Sequence, residues 1–259
     1  MKLLLELSGD PASAGPAEAA GFAGVAFSTP RYPGAGDAMM EAAFAAGRTR
    51  AVWIGTTVRL GADHPLALAE ELAVLDNAAA GRVIGLVDTG QLDADAAAED
   101  LELLRRGLQP QPITFEGTRH RVPARLPGQT VTTAISVQPQ PAQPALQLWM
   151  LDTGDVARRV ADGAGLAVLG GAPQGDAVGR ARPVWVDATT AEDTRAAAQE
   201  LRDRGATHAV VRLRGDLAGF LERASRDLIA PLAMRDYPEL MSRAKPPVAW
   251  RAAAGVSGP

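Results

Sequence analysis

Short apolar runs alternate with helix-length amphipathic stretches along nearly the whole of this 259-residue chain. The runs fall at 2–7, 24–28, 51–58, 83–87, 146–150, 166–169, 183–187 and 208–213, and most are followed by a stretch of helical period. Strands that alternate with helices pair in parallel. Eight such units are what a closed (β/α) barrel requires. The competing arrangement is a doubly wound open sheet. Its dinucleotide-binding form is disfavoured because no Gly-x-Gly-x-x-Gly follows the first run. The expected fold is therefore α/β, an eight-stranded TIM barrel, with a single domain over 1–235. An insertion over 109–145 follows the fourth strand–helix unit; it is rich in proline and glutamine, and its "ITFEGTRHRV" reads as a hairpin. Residues 236–259 read as an irregular tail.

The helix predicted over 64–79 shows how the pattern works. Leu68, Leu72, Leu75 and Ala79 recur at helical spacing and form one stripe for a sheet to cover. Asp63 is the expected N-cap, Pro65 suits the first turn, Glu70 and Glu71 favour the helix dipole, and Gly81 is the expected C-cap. Asp76 and Arg82 flank the helix end and the next strand, placed to pair and hold the turn. Trp53, Trp149 and Trp185 fall in strands and read as core or barrel lining.

Composition excludes several functions. The apolar share is 47%, the charged share 22% and the net charge −4, with no basic, aromatic-rich stretch for nucleic acid. There is no cysteine, hence no disulfide, thiolate metal site or cysteine nucleophile, which fits a cytoplasmic location. "MKLLLEL" is too short an apolar run for a leader and reads as a buried strand, broken by Glu6 and Asp10. No run approaches the ~20 residues of a membrane-spanning helix. No His-x-x-x-His or carboxylate cluster suggests a metal, and no Gly-x-Ser-x-Gly suggests a hydrolase.

The order of segments is more specific. "AVWIGTTV", then "HPLALAEELAVLDNAAAGRVIGLVDTG", "ITFEGTRHRV", "QPALQLWM" and "VARRVADGAG" resembles the bacterial-luciferase-like monooxygenase family over most of the chain. The resemblance implies a luciferase-like barrel that binds reduced FMN or a deazaflavin. Gly55, Thr56 and Thr57 match the segment whose backbone lies against the flavin in that family. At the fourth strand end, where the family has glycines, the chain has Asp88 and keeps Gly90; after the fifth strand it has Asp152, Thr153 and Gly154 where a phosphate-holding Gly-Gly is usual. A carboxylate ~4 Å from a phosphate meets ~4 kcal/mol of repulsion at an effective dielectric near 20. Each aspartate can instead accept a ribityl or substrate hydroxyl, and Arg158 and Arg159 are near enough in sequence to restore positive charge. Gly170 and Gly171 offer further backbone donors.

The histidine that many relatives carry after the second strand is absent; Ser28, Thr29, Pro30 and Arg31 stand there. His64, at a helix start where basicity is lowered, and His120, in a hairpin expected over the mouth, are the candidate catalytic side chains. His208 opens the last strand, at the far face, and is assigned a structural role. The implied function is oxygenation of an apolar organic small molecule with reduced flavin, supplied by a separate flavin reductase, and dioxygen. The alternative is a degenerate barrel that has lost the cofactor and serves as a non-catalytic subunit or flavin-independent protein. Pairing through barrel helices, as a homodimer or heterodimer, is implied in either case.

Overall fold

The structure, a computed structural model, describes residues 1–28, 37–124, 134–173 and 181–232. Eight strands form one all-parallel sheet: β1 (Lys2–Glu6), β2 (Gly24–Phe27), β3 (Trp53–Arg59), β4 (Val83–Asp88), β7 (Gln147–Leu151), β8 (Ala167–Leu169), β9 (Pro183–Ala188) and β10 (His208–Leu213). The remaining two, β5 (Phe115–Glu116) and β6 (Arg121–Val122), make the hairpin read from the sequence. The sheet order is β8-β7-β4-β3-β2-β1-β10-β9. Its two edges meet through a parallel bridge between Gly170 and Val184, with the Trp185 amide donating to the Gly170 carbonyl at 2.8 Å. The sheet is thereby a barrel.

Helices α1 (Ala14–Ala20), α2 (Ala38–Ala46), α3 (Pro65–Ala78), α4 (Ala94–Gly107), α5 (Asp155–Ala164), α6 (Ala191–Asp203) and α7 (Leu217–Ala224) run outside the strands. The helical chain past α7 passes through a π-turn, Ser225–Ile229. Part of the predicted loop after β8, and the tail over 236–259, lie outside the described residues.

Strand alternation divides the apolar side chains into two cores. Leu4, Ala26, Leu86, Trp149, Leu169 and Val210 fill the barrel interior. Val25, Ile54, Val58, Val87 and Val211 face outward and meet the helices, including the α3 stripe of Leu68, Leu72, Leu75 and Ala79. A third cluster explains why α3 is apolar on a second face. Leu66 of α3 and Leu103 of α4 pack against Ile113, Phe115, Val122 and Val137 of the insertion. The insertion thus docks on the outer surface of α3 and α4.

Local caps differ from the expected ones by a residue or two. The N-cap of α3 is His64, not Asp63: its Nδ1 accepts the Leu66 amide at 3.2 Å. The helix stops at Ala78, and Ala80 and Gly81 both take positive φ, at 53° and 79°. Asp76 and Arg82 do not pair. The Arg82 guanidinium donates to the carbonyls of Val52 and Thr49. Asp76, fully buried, accepts the amides of Val83 and Gln143 and the side-chain amide of Gln143. It ties the α3–β4 turn to the segment leading into β7.

The base of the barrel, at the strand starts, is polar. Lys2, Trp53, Gln147 and His208 surround a cavity of about 580 Å³ there. His208 lies edge-on to Trp149 with ring centroids 5.2 Å apart, and its Nδ1 is 2.8 Å from Thr207 Oγ1. Burial, and then the nearby Lys2 ammonium, push its pKa from 6.5 down to about 4.

Two predictions follow from these contacts. Asp76→Ala strands two buried amides and should cost about 3 kcal/mol in urea unfolding; a loss below ~1 kcal/mol would show that the tie is replaceable. His208 is harder to protonate when folded than when unfolded, so its contribution to stability is complete above about pH 6.5 and is lost as pH falls through the window down to about 4. Relative to His208→Gln, the native chain should lose about 1–2 kcal/mol between pH 7 and pH 4, allowing for the ring's partial exposure. Parallel pH profiles for the two proteins would contradict this.

Candidate active site

The strand ends opposite that base form the other mouth, where barrel active sites sit. A cavity of about 670 Å³ opens at the ends of β3, β4 and β7. That is within the range of sites for cofactor-sized molecules. Its wall includes Arg59, Asp88, Thr89, Gly90, Thr153 and Gly154. Leu60, Leu92 and Val156 add apolar side chains, and Asp155, Gln91, Gly61 and Ala62 line the rest. Four of the residues predicted to hold a cofactor, Asp88, Gly90, Thr153 and Gly154, therefore meet at one cavity.

Three lining glycines, Gly61, Gly90 and Gly154, take positive φ. Gly154, the N-cap of α5, has φ 136°, and a Cβ on it would meet nothing within 4 Å, so the constraint is the backbone angle and not space. Gly90 has φ 59°, and a Cβ there would lie 3.0 Å from the Leu60 carbonyl oxygen. The hydroxyls of Thr89 and Thr153 stand 3.4 Å apart across the gap between the two strand ends.

The two aspartates expected to stand in place of glycines, Asp88 and Asp152, are each met by an arginine. Asp88 Oδ2 accepts from Arg59 Nε at 3.0 Å, while its Oδ1 accepts the Gly90 amide at 3.0 Å. The β3–β4 register sets Arg59 opposite Asp88. Asp152 pairs with Arg158 of α5, Nε to Oδ1, at 3.0 Å, and Arg158 also reaches Asp155. The repulsion expected from bare carboxylates is thus removed by local pairing. Arg159 does not share this task; it lines a groove between α4 and α5.

The glycine–threonine segment of β3 splits between the two faces of the strand. Gly55 faces inward, but a Cβ on it would meet Ala26 at 3.3 Å and Leu86 at 3.4 Å, so barrel side chains occupy the space beside it. Thr57 also faces inward, donating to the Phe27 carbonyl at 3.3 Å. Thr56 points the other way, between Ile54 and Val58 on the helix side. It is fully buried, and its hydroxyl has no partner among the described residues. That side chain cannot reach a ligand in the mouth. Gly170 uses its carbonyl to close the barrel, and Gly171 beside it is exposed.

His64 and His120 come together, with ring centroids 4.9 Å apart, but neither lines the mouth cavity. His64 caps α3, and burial followed by the neighbouring His120 lowers its pKa. His120 bonds through Nε2 to Asp100 of α4 at 2.8 Å, and Arg119 reaches the same carboxylate oxygen at 3.0 Å. Glu99 accepts the amides of Thr118, Arg119 and His120. Burial raises the Glu99 pKa, but those three amides outweigh it and hold the carboxyl below its usual range. These bonds fasten the hairpin to α4, so it does not cross the mouth.

Sequence reading missed other polar groups at this end of the barrel. Glu6 accepts from Ser28 Oγ at 2.8 Å. Arg212 stacks on Trp185, 3.5 Å from the ring centroid. Both follow by two residues an interior side chain, Leu4 or Val210, so strand alternation was the available signal. Of Thr29, Pro30 and Arg31 nothing is described. Near Glu6, Glu41 of α2 accepts the Gly9 amide at 2.9 Å. Burial pushes its pKa up; the Gly9 amide opposes this, and Glu6 and Asp37 add to it.

Comparison with known proteins fits this geometry. The family model described as luciferase-like monooxygenase matches residues 11–203. No curated protein matches the sequence. Among solved structures, monooxygenase RslO1 from Streptomyces bottropensis is similar with a TM-score of 0.70 at 18% identity, over 90% of this chain and 100% of that one. An F420-dependent secondary alcohol dehydrogenase in complex with an F420-acetone adduct gives 0.68 at 14% identity, over 88% of this chain and 98% of that one. The oxygenating constituent of 3,6-diketocamphane monooxygenase from Pseudomonas putida, in complex with FMN, gives 0.51 at 14% identity, over 77% of this chain and 59% of that one. At these identities the likeness is one of fold.

The hairpin clamp can be tested without any ligand. Asp100→Asn should speed amide exchange across 115–122 by about tenfold, for a charge-assisted contact of about 1.4 kcal/mol, and leave exchange in the barrel strands unchanged. Unchanged protection in the hairpin would contradict the clamp.

Proposed function

The chain belongs to the luciferase-like monooxygenase family, and on that premise we propose that it binds reduced FMN or a reduced deazaflavin at the β3–β4–β7 mouth and oxidises or oxygenates an apolar organic small molecule. One observation carries the reading: the mouth cavity is bounded by Thr89 and Thr153, three glycines, the start of α5 and the Arg59–Asp88 pair, with Arg158 beside it on α5. That donor set suits a ligand with ribityl hydroxyls and a phosphate.

In this reading Thr89 and Thr153 hold ribityl hydroxyls. The first amides of α5 and the Arg158 guanidinium hold the phosphate, since a helix N-terminus favours an anion. Leu60, Leu92 and Val156 shield the site from water. The bound flavin or deazaflavin supplies the electron transfer itself.

The wider reading keeps a separate flavin reductase as the source of reduced cofactor, and a cytoplasmic location. Among the described residues no helix is long and apolar enough to cross a membrane. Pairing with a second copy or a related chain is supported by the outer faces of α2 and α3, where Met40, Phe44 and Val74 are exposed.

A specific observation favours a second reading, a barrel of this family that has lost its cofactor. Arg59 and Arg158 are already engaged by Asp88 and Asp152, and Leu86 and Ala26 fill the space beside Gly55.

Anaerobic titration separates the two. Reduced FMN or reduced deazaflavin should bind with micromolar affinity, and Arg158→Gln should weaken the phosphate-bearing ligand about tenfold, as expected for one charge-assisted contact. Absence of binding in the native chain, persisting after Asp88→Gly and Asp152→Gly, would leave the second reading in place.

A further inference from the structure

The base of the barrel departs from the usual way such a barrel is sealed. Barrel interiors are layered with bulky branched apolar side chains. Here the lowest inward positions carry Lys2, Trp53, Gln147 and His208, and a cavity of about 580 Å³ remains between them. It is at the opposite end from the mouth and shares no lining residue with it.

The cavity has an apolar floor and a donor-rich rim. Leu4, Ile84 and Trp149 form the floor, and Trp53 adds a partly exposed indole to the wall. Lys2 and Arg182 bring two cations. No carboxylate lines the cavity, and among the described residues neither cation has an ion-pair partner. The Arg182 guanidinium lies beside Gly205, with its Nε fully buried and without a hydrogen-bond partner among the described residues. Thr207 Oγ1 accepts the Arg182 amide at 2.7 Å. The same hydroxyl lies 2.8 Å from His208 Nδ1. Lys2, Arg182 and His208 thus line the rim without a competing acid.

We infer that this base cavity is a second binding site, for a small planar aromatic acid whose ring lies against Trp53 and Trp149 and whose acid group meets Lys2, Arg182 and His208. A cationic ligand would face two uncompensated positive charges. A purely apolar one would leave the two cations without a counter-charge. A flat anion satisfies the donors and covers the indoles at once. The inference is independent of the flavin reading, since it uses none of the residues at the mouth.

The test is calorimetric titration of the full chain with 1-naphthoate at low salt, beside its neutral isostere 1-naphthamide. One equivalent of 1-naphthoate should bind, with 1-naphthamide at least about fivefold weaker, as expected when one ionic contact is removed. Lys2→Gln and Arg182→Gln should each weaken 1-naphthoate about fivefold, and Arg158→Gln at the mouth should leave it unchanged. The Lys2 side chain is exposed, so that variant serves even if Arg182→Gln fails to fold. No binding, equal binding of the amide, indifference to the Lys2 change, or weakening by the Arg158 change would each overturn the inference.

Discussion

A parallel sheet becomes a barrel only if its edge strands meet. Here that meeting rests on the Trp185 amide and the Gly170 carbonyl, 2.8 Å apart, beside the bridge to Val184. β8, at one edge, has only three residues, so the closure is brief. Yet it fixes which side of every strand is enclosed. Once the sheet is closed, period-two alternation sends Leu4, Leu86, Trp149 and Val210 inward, and Ile54, Val58 and Val87 out to the helices. The same alternation sets polar side chains at both ends of the interior. The chemistry of the mouth and the polarity of the base are therefore two consequences of one constraint.

At the mouth, charge pairing matters more for electrostatics than for stability. Arg59 and Arg158 are about half exposed, at 50% and 47% of their side-chain surface. Pairs of that kind contribute at most about 1 kcal/mol to folding. They instead set the local charge at the mouth: Asp88 pairs with Arg59 and Asp152 with Arg158. Three aspartates share two arginines at this rim, which leaves it less acidic than the carboxylates alone would make it. The insertion, by contrast, is fastened away from this rim by Asp100, whose side chain is 1% exposed and which binds His120 and Arg119.

What the sequence made legible was governed by local periodicity. The Leu68–Leu72–Leu75 stripe, the alternation of strands with helices, and the hairpin around "FEGTRH" all depend on neighbours a few residues apart, and the family resemblance follows from their order. Long-range partners were not legible. Nothing near Asp76 announces Gln143, 67 residues away, so the neighbouring Arg82 was the natural but mistaken partner. Nor does the hairpin sequence say which surface it lands on, which is why His120 was expected over the mouth. Two other features were readable but were overlooked. Thr56 sits between Ile54 and Val58 on an apolar face. Arg59 and Asp88 end adjacent strands and stand side by side once the β3–β4 register is drawn.

The central claim is that the β3–β4–β7 mouth is built for a flavin-type cofactor. A crystal structure of the chain grown anaerobically with reduced FMN tests it most directly. The account predicts ring density in the cavity between Leu60 and Val156, with the phosphate on the first turn of α5 beside Gly154 and Arg158. A mouth closed by its own side chains, or FMN held elsewhere on the chain, would contradict it.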